Sequence, residues 1–369
     1  MTQVDVEIQL IALVVAVSCA LPGVFLVLRR MALMSDAISH TVLLGIVLAF
    51  FVTGDITSPF LIAAAAATGI VTVALIETLY RTRLVKQDAA IGLVFPALFS
   101  IAVILISRYA GDVHLDTDAV LLGELAFAPF RRLAVAGVDM GPKALYVMSV
   151  ILLLNVSFIT VLYKELKVST FDPALAASLG FSPVLLHYVF MALTSVTVVG
   201  AFDAVGSILV VALMIVPPAT AYLLTERLRW MVLLSALLGG TAAIAGYWVA
   251  WLADASIAGS MAAMAGAQFL AVFLLAPRGV LAQARLRARQ RVEFAQLMLA
   301  IHLLHHEGTA EAESESRESH LHEHLRWTPE FARLVVRRAE RAALIERESG
   351  GRLRLTTVGR ESARSAIVA

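Results

Sequence analysis

The sequence holds a single cysteine, Cys19, among its 369 residues. That excludes a disulfide framework within the chain and any Cys-rich zinc site. It has no G-x-x-x-x-G-K-[ST] run, so it cannot cradle ATP phosphates in the P-loop manner. Charge is scarce as well: Asp, Glu, Lys and Arg make up 15% of the residues, against about 25% in an ordinary soluble domain. From Arg278 onward lysine is missing altogether. The net charge of +1 identifies no partner, because the chain has an apolar body and a charged tail that must be judged separately.

What fills the chain instead is apolar residues, 60% of the total, with a mean hydropathy of +0.85. Runs long enough to cross a bilayer, roughly 17 to 25 residues each, recur up to Pro277. They read as spans at Ile8 to Leu28, Leu33 to Val52, Ser58 to Leu79, Ala89 to Ser107, Ala144 to Tyr163, Pro183 to Phe202, Ala204 to Leu224, Trp230 to Leu252 and Ile257 to Ala276. The first run ends in Arg29 and Arg30 with no small-residue cleavage site, so it reads as a span rather than a removed signal. Arg and Lys clusters fall on alternate sides of the spans, at Arg29 with Arg30, Arg81 with Arg83 and Lys86, Lys164 with Lys167, Arg227 with Arg229, and Arg278 onward. The positive-inside rule makes those turns cytoplasmic, with the N-terminus outside and the tail in the cytoplasm. Small residues near Ala63 and Gly239 permit close helix packing, and Tyr247, Trp248 and Trp251 suit an interfacial belt.

The second span opens with two ionisable residues, Asp36 and His40. Either one costs at least about 2.5 kcal/mol in hydrocarbon, so such residues usually face a bundle interior and mark an ion pathway. Their four-residue spacing puts both on one helix face, one turn apart, with Ser35 and Ser39 beside them. A carboxylate next to an imidazole suits a divalent first-row metal. Asp203 either guides an incoming cation or caps the seventh helix. His187 and Asn155 read as helix-to-helix hydrogen bonders, and Pro217 with Pro218 should bend or unwind the seventh span. Between Tyr109 and Lys143 a re-entrant or surface-lying helix is expected, whose His114, Asp116, Asp118 and Glu124 either funnel cations, seat a partner or form a solvated loop.

Between the fifth and sixth spans, Thr170 or Asp172 can cap a short helix that starts at Pro173 and is stopped by Gly180. Two turns alone are marginal in water, so this helix should pack on something. Three stretches, SDAISHTVLLG from Ser35, FDPALAASLG from Phe171 and FDAVGSILVVALMIVPPATA from Phe202, resemble the permease subunits of bacterial ABC importers for manganese, zinc and iron. The resemblance implies that Phe171, Asp172, Pro173, Ala176, Leu179 and Gly180 dock on a separate ATPase subunit. It also implies that Asp36 and His40 contact the metal, and that no cofactor is permanently bound. A second permease subunit, equal or different, and an extracytoplasmic metal-binding protein would complete the assembly in the inner membrane. Asp plus His accepts manganese, iron or zinc, and the resemblance leans toward manganese or iron. Two rival classes stay open: a carrier driven by an ion gradient and a membrane-tethered metal-responsive regulator.

The tail from Arg278 carries 16 Arg against 12 acidic residues. Arg285, Arg287, Arg289 and Arg291 suit contact with anionic lipid. An amphipathic helix EFAQLMLAIHLLHHE, a short helix near His320, a longer helix opened by Thr328 and Pro329, and a Gly350–Gly351 hairpin follow, closed by a small helix after Gly359. This order resembles the winged-helix domain of iron-dependent repressors. The expected architecture is therefore an all-α polytopic membrane protein of about eight or nine spans, residues 1–281, with a small cytoplasmic α+β winged-helix domain, residues 282–369. Arg333, Arg337, Arg338 and Arg341 would offer a face to nucleic acid, although winged helices also bind proteins. Phe294, Leu297, Ile301, Leu325, Phe331, Val335 and Leu344 are expected inside. Six of the nine histidines lie here, and His302 with His306 share a helix face where they either bind metal as a sensor or stand solvated.

Overall fold

A computed structural model describes residues 2–54, 58, 60–109, 125–135, 138–277, 279–309, 315–318, 321, 325–348 and 351–368. His114, Asp116, Asp118, Glu124, His320, His322, His324 and Gly350 lie outside the described residues. The chain divides into two compact units, residues 1–278 and 279–369.

In the first unit, among the described residues, nine helices are long and apolar enough to cross a membrane. They are α1 (Gln3–Leu28), α2 (Leu33–Thr53), α3 (Phe60–Arg81), α4 (Gln87–Tyr109), α5 (Lys143–Val161), α8 (Pro183–Val205), α9 (Ser207–Leu224), α10 (Leu228–Ala253) and α11 (Ile257–Leu275). Two short helices, α6 (Tyr163–Phe171) and α7 (Pro173–Ser178), stand between α5 and α8. Helix α1 is the hub and packs on α5, α8, α9 and α10. Its apolar residues run all round the helix, as a buried helix requires, and Ile11, Ala12, Val15, Ala16, Cys19 and Phe25 are fully enclosed.

Helix α1 starts at Gln3, before the hydropathic run that marks its sequence boundary at Ile8. The cause is a capping box: the Thr2 hydroxyl accepts from the Asp5 amide at 3.3 Å, and the Asp5 carboxylate accepts from the Thr2 amide at 2.6 Å. Tyr247 then donates its hydroxyl to Asp5 at 2.8 Å, which ties α10 to α1. Asn155 is buried and donates to Ser18 O at 3.2 Å and to Thr197 Oγ1 at 3.0 Å, joining α5, α1 and α8. Such bonds are worth about 0.6 to 1.7 kcal/mol each in a membrane bundle.

Two sequence expectations for the region around α9 are corrected. Asp203 does not cap α9; it lies in the last turn of α8, which continues to Val205 before the chain breaks at Gly206. Helix α9 also does not unwind at Pro217 and Pro218, since it is helical from Ser207 to Leu224. Pro218 cannot donate to Met214 O, and α1 comes so close there that a Cβ on Gly23 would stand 1.9 Å from that oxygen and 2.9 Å from its carbon. Helix α1 thus packs tightly against the turn that holds the proline pair. Gly23→Ala should lower the melting temperature sharply, since overpacking a tight core costs about 1 to 3 kcal/mol. Thermal unfolding of the detergent-solubilised chain checks this, with Gly92→Ala, where a Cβ would meet open space, as the control.

The segment before α5 is also corrected where it is described. Leu125–Phe130 is a 3-10 helix whose Leu125, Ala128 and Pro129 are buried against the bundle. After it comes an antiparallel ribbon, β1 (Arg132–Val135) with β2 (Val138–Pro142), rather than a helix. Charge closes the ribbon: Arg132 pairs with Asp139 and reaches Glu7 at 3.2 Å, and Arg131 pairs with Asp203 at 3.0 Å.

The second unit contains α12 (Val280–His306), α13 (Pro329–Arg341), the hairpin β3 (Ile345–Arg347) with β4 (Leu353–Leu355), and α14 (Thr357–Val368). Ile345 pairs with Leu355 and Arg347 with Leu353, so Ile345, Leu353 and Leu355 share the buried face. The core also holds Ala295, Leu299, Ala300, Leu303, Val335, Val336 and Ala339. Of the expected core, Val335 is buried, the others are partly covered, and Phe294 is 65% exposed. Apolar residues surround this part of α12, so periodicity did not fix which face turns inward.

Candidate metal path and coupling segment

Asp36 and His40 lie in the first turns of α2, with His40 about 10 Å along the axis from Leu33 at 1.5 Å per residue. Asp36 Oδ1 stands 3.4 Å from His40 Nε2. The side chains stay 39% and 29% exposed, so both can be reached by a cation or by another subunit. The Ser35 and Ser39 hydroxyls are engaged by their own helix. Both residues are buried, and the hydroxyls donate to Ala32 O and Ser35 O at 2.9 Å.

The rest of this site comes from α4. Phe95 stacks on the His40 ring at 5.7 Å and Phe99 meets it edge-on at 5.8 Å. Their four-residue spacing puts both on one face of α4. Sequence reading missed them; the FPALF spacing was the available signal, but aromatic pairs in spans are commonplace and only the packing of α2 on α4 gives this one meaning. The pair of ligand-type groups therefore sits behind an apolar wall, open on the other side. Asp203 lies on a different helix and is engaged by Arg131.

Between α5 and α8 the short helix from Pro173 forms as its sequence expects, and the helix Tyr163–Phe171 before it was not expected. The Asp172 carboxylate accepts from Leu175 N at 2.9 Å, Pro173 opens α7, and Thr170 is not the cap. At the other end Phe181 N donates to Ala176 O and Gly180 N to Ala177 O, both at 3.1 Å, the two bonds of a Schellman stop. Gly180 has φ +88°, where an L side chain is strained. Phe171, Leu175, Leu179 and Phe181 are exposed, whereas Ala176 is buried and faces inward. Leu175 and Phe181 were not among the contact residues expected from sequence.

One side chain ties this segment to the bundle. Arg29, just after α1, donates Nε to Thr170 Oγ1 at 3.1 Å, lies 3.5 Å from His187 Nδ1 and stacks over the Phe190 ring at 5.1 Å. His187 Nε2 is in turn 3.5 Å from Glu77, which also binds Arg81 at 2.6 Å. His187 is thus a helix-to-helix link across α1, α3 and α8. In the second unit, Arg333, Arg337, Arg338 and Arg341 all stand exposed on α13, opposite its buried Ala332, Val335, Val336 and Ala339.

Residues 3–276 match the ABC 3 transport family. The zinc transport system membrane protein TroD of Treponema pallidum is 48% identical over 354 residues, 96% of this chain and 96% of that protein. The manganese transport system membrane protein MntD of Bacillus subtilis is 51% identical over 273 residues, 74% of this chain and 92% of its own length. Among solved structures, PsaBC from Streptococcus pneumoniae in complex with Fab matches with a TM-score of 0.63 and 29% identity, over 75% of this chain and 94% of that one. The TroD match must run into the second unit, because 354 residues exceed the 278 of the first.

Proposed function

We propose a route for a divalent cation through a chain that belongs to the ABC 3 transport family, as the membrane permease subunit of an ATP-driven importer. The observation that carries the route is the Asp36–His40 pair, one turn apart in a span, accessible and backed by Phe95 and Phe99. The relatives are named for zinc and for manganese. A carboxylate and an imidazole accept either metal, and iron as well. Metal reaches the pair from an extracytoplasmic binding protein and passes between two permease subunits, the second of which covers the open side of the site.

The positive-inside distribution of Arg and Lys orients the subunit in the inner membrane with its N-terminus outside and α6, α7 and the second unit in the cytoplasm. The exposed apolar face of Phe171, Leu175, Leu179 and Phe181 is then the seat of the ATPase subunit, with Asp172 and Gly180 fixing the fold of that seat. A gradient-driven carrier would have no need of such a seat. In the second unit, the order α12, α13, hairpin, α14 supports a winged-helix plan, and its exposed arginine face suits phosphate groups. Tethering to a membrane favours an accessory, regulatory role over free DNA binding. Arg285, Arg287 and Arg289 are exposed where they can meet anionic lipid.

Reconstitution in vesicles tests the assignment. Uptake of manganese or zinc should require ATP and a co-reconstituted ATPase subunit; uptake by the permease alone under an imposed proton gradient would overturn it.

A further inference from the structure

We propose that His302, His306 and Glu315 of the second unit form a binding site for a divalent first-row cation of the zinc type. The three residues offer one ligand atom each, and these atoms lie within 4.8 Å of one another. His302 Nε2 and Glu315 Oε2 are 3.5 Å apart, close to the edge of a zinc tetrahedron, about 3.3 Å for ligands at about 2.0 Å. The His302 and His306 rings are 4.8 Å apart, on successive turns of α12. Two imidazoles and one carboxylate are a recurrent zinc set that keeps a fourth position for water. Magnesium and calcium, which want oxygen ligands, are disfavoured.

Burial and anchoring argue against a chance meeting of surface groups. His302 and Glu315 keep only 10% and 9% of their side-chain surface. Glu315 comes from beyond the end of α12, and the residues after it are fastened to the hairpin. Leu353 N donates to Ser316 O at 2.8 Å, Arg317 bridges Arg352, and Arg347 holds Glu318 at 2.8 Å. The hairpin thus presents the carboxylate to the two histidines. A cleft of about 500 Å³ lined by Ile301, His302, His305, His306 and Leu325 borders the two histidines, with Glu315 outside its lining. The further step, that occupancy of this site restrains uptake when cytoplasmic metal is plentiful, rests on the permease reading above.

Zinc titration of the full chain in detergent tests the site, using the Asp36→Ala/His40→Ala background so that the transport pair contributes nothing. One equivalent of zinc should bind, and His302→Gln and Glu315→Gln should each weaken binding at least about tenfold. Glu330→Gln, exposed on α13 and outside both the cluster and the cleft, should leave binding unchanged. Zinc binding that survives both His302→Gln and Glu315→Gln, or that Glu330→Gln weakens equally, overturns the proposal and assigns the metal to diffuse chelation by surface groups. The regulatory step is tested separately: with otherwise wild-type chain and ATPase, Glu315→Gln should abolish inhibition of ATP-driven uptake by zinc on the ATPase side. Inhibition unchanged by Glu315→Gln removes that step, and absence of ATP-driven uptake in the parent chain would count against the permease reading and not against the site.

Discussion

Replacing Asp36 or His40 with alanine is expected to lower ATP-driven metal uptake about a hundredfold, the scale on which metal sites respond to lost ligand support. The chain should remain in the membrane and still associate with its ATPase, because both side chains are partly exposed. Phe95→Ala should do less: it removes part of the wall against which His40 is oriented, so uptake should fall while apparent metal affinity weakens only modestly. Uptake assays with the mutant permeases and wild-type ATPase distinguish these effects. Wild-type rates in the Asp36 or His40 variant would remove both residues from the path.

Replacing Arg29 with alanine should separate ATP hydrolysis from transport. Arg29 joins the α6–α7 segment, through Thr170, to His187 and Phe190 in α8, and α3 is joined in turn through Glu77. A push on the ATPase seat can reach the spans through this partly buried linkage. Removing the guanidinium leaves Thr170 without that bond and His187 without its Arg29 neighbour, so uptake should fall about tenfold or more while hydrolysis continues, the cost expected when a partly buried charged hydrogen bond is broken. Arg29→Lys should recover part of the transport, because a point charge cannot serve Thr170, His187 and the Phe190 ring in one planar geometry. Asp172→Lys should act earlier: it removes the cap of α7 and places a cation on the seat, so the ATPase should fail to co-purify. Parallel measurement of co-purification, hydrolysis and uptake sorts the two variants; hydrolysis and uptake falling together in Arg29→Ala would argue for lost folding instead of lost coupling.

The spans were legible because each needs about 20 apolar residues, a signal that requires no knowledge of neighbours. The cap at Asp172 and the stop at Gly180 were legible for the same reason, since both act on adjacent backbone. The start of α1 was misplaced because the capping box of Thr2 and Asp5 is polar and drops out of a hydropathy reading, although its spacing was there to be read. Asp203 was assigned to the wrong helix because a carboxylate before a glycine reads equally as an end or a beginning. Pairs drawn from distant segments were beyond sequence reasoning: Phe95 against His40, Arg29 against Thr170 and Glu315 against His302 depend on helix packing or on a strand bridge that fixes no local pattern. On α12 the expected Ile301 does pack against the tail core while Phe294 stays exposed, since apolar residues on every side leave the inward face to be chosen by α13 and the hairpin.

The account rests on a cation passing between Asp36 and His40, and locating that cation tests it most directly. In the assembled complex of permease, ATPase and binding protein, loaded with manganese and trapped before ATP hydrolysis, anomalous scattering at the manganese edge should show a peak bridging Asp36 and His40. It should vanish in the Asp36→Ala complex. A manganese peak in the spans that lies away from both residues, or that persists unchanged without Asp36, would contradict the account.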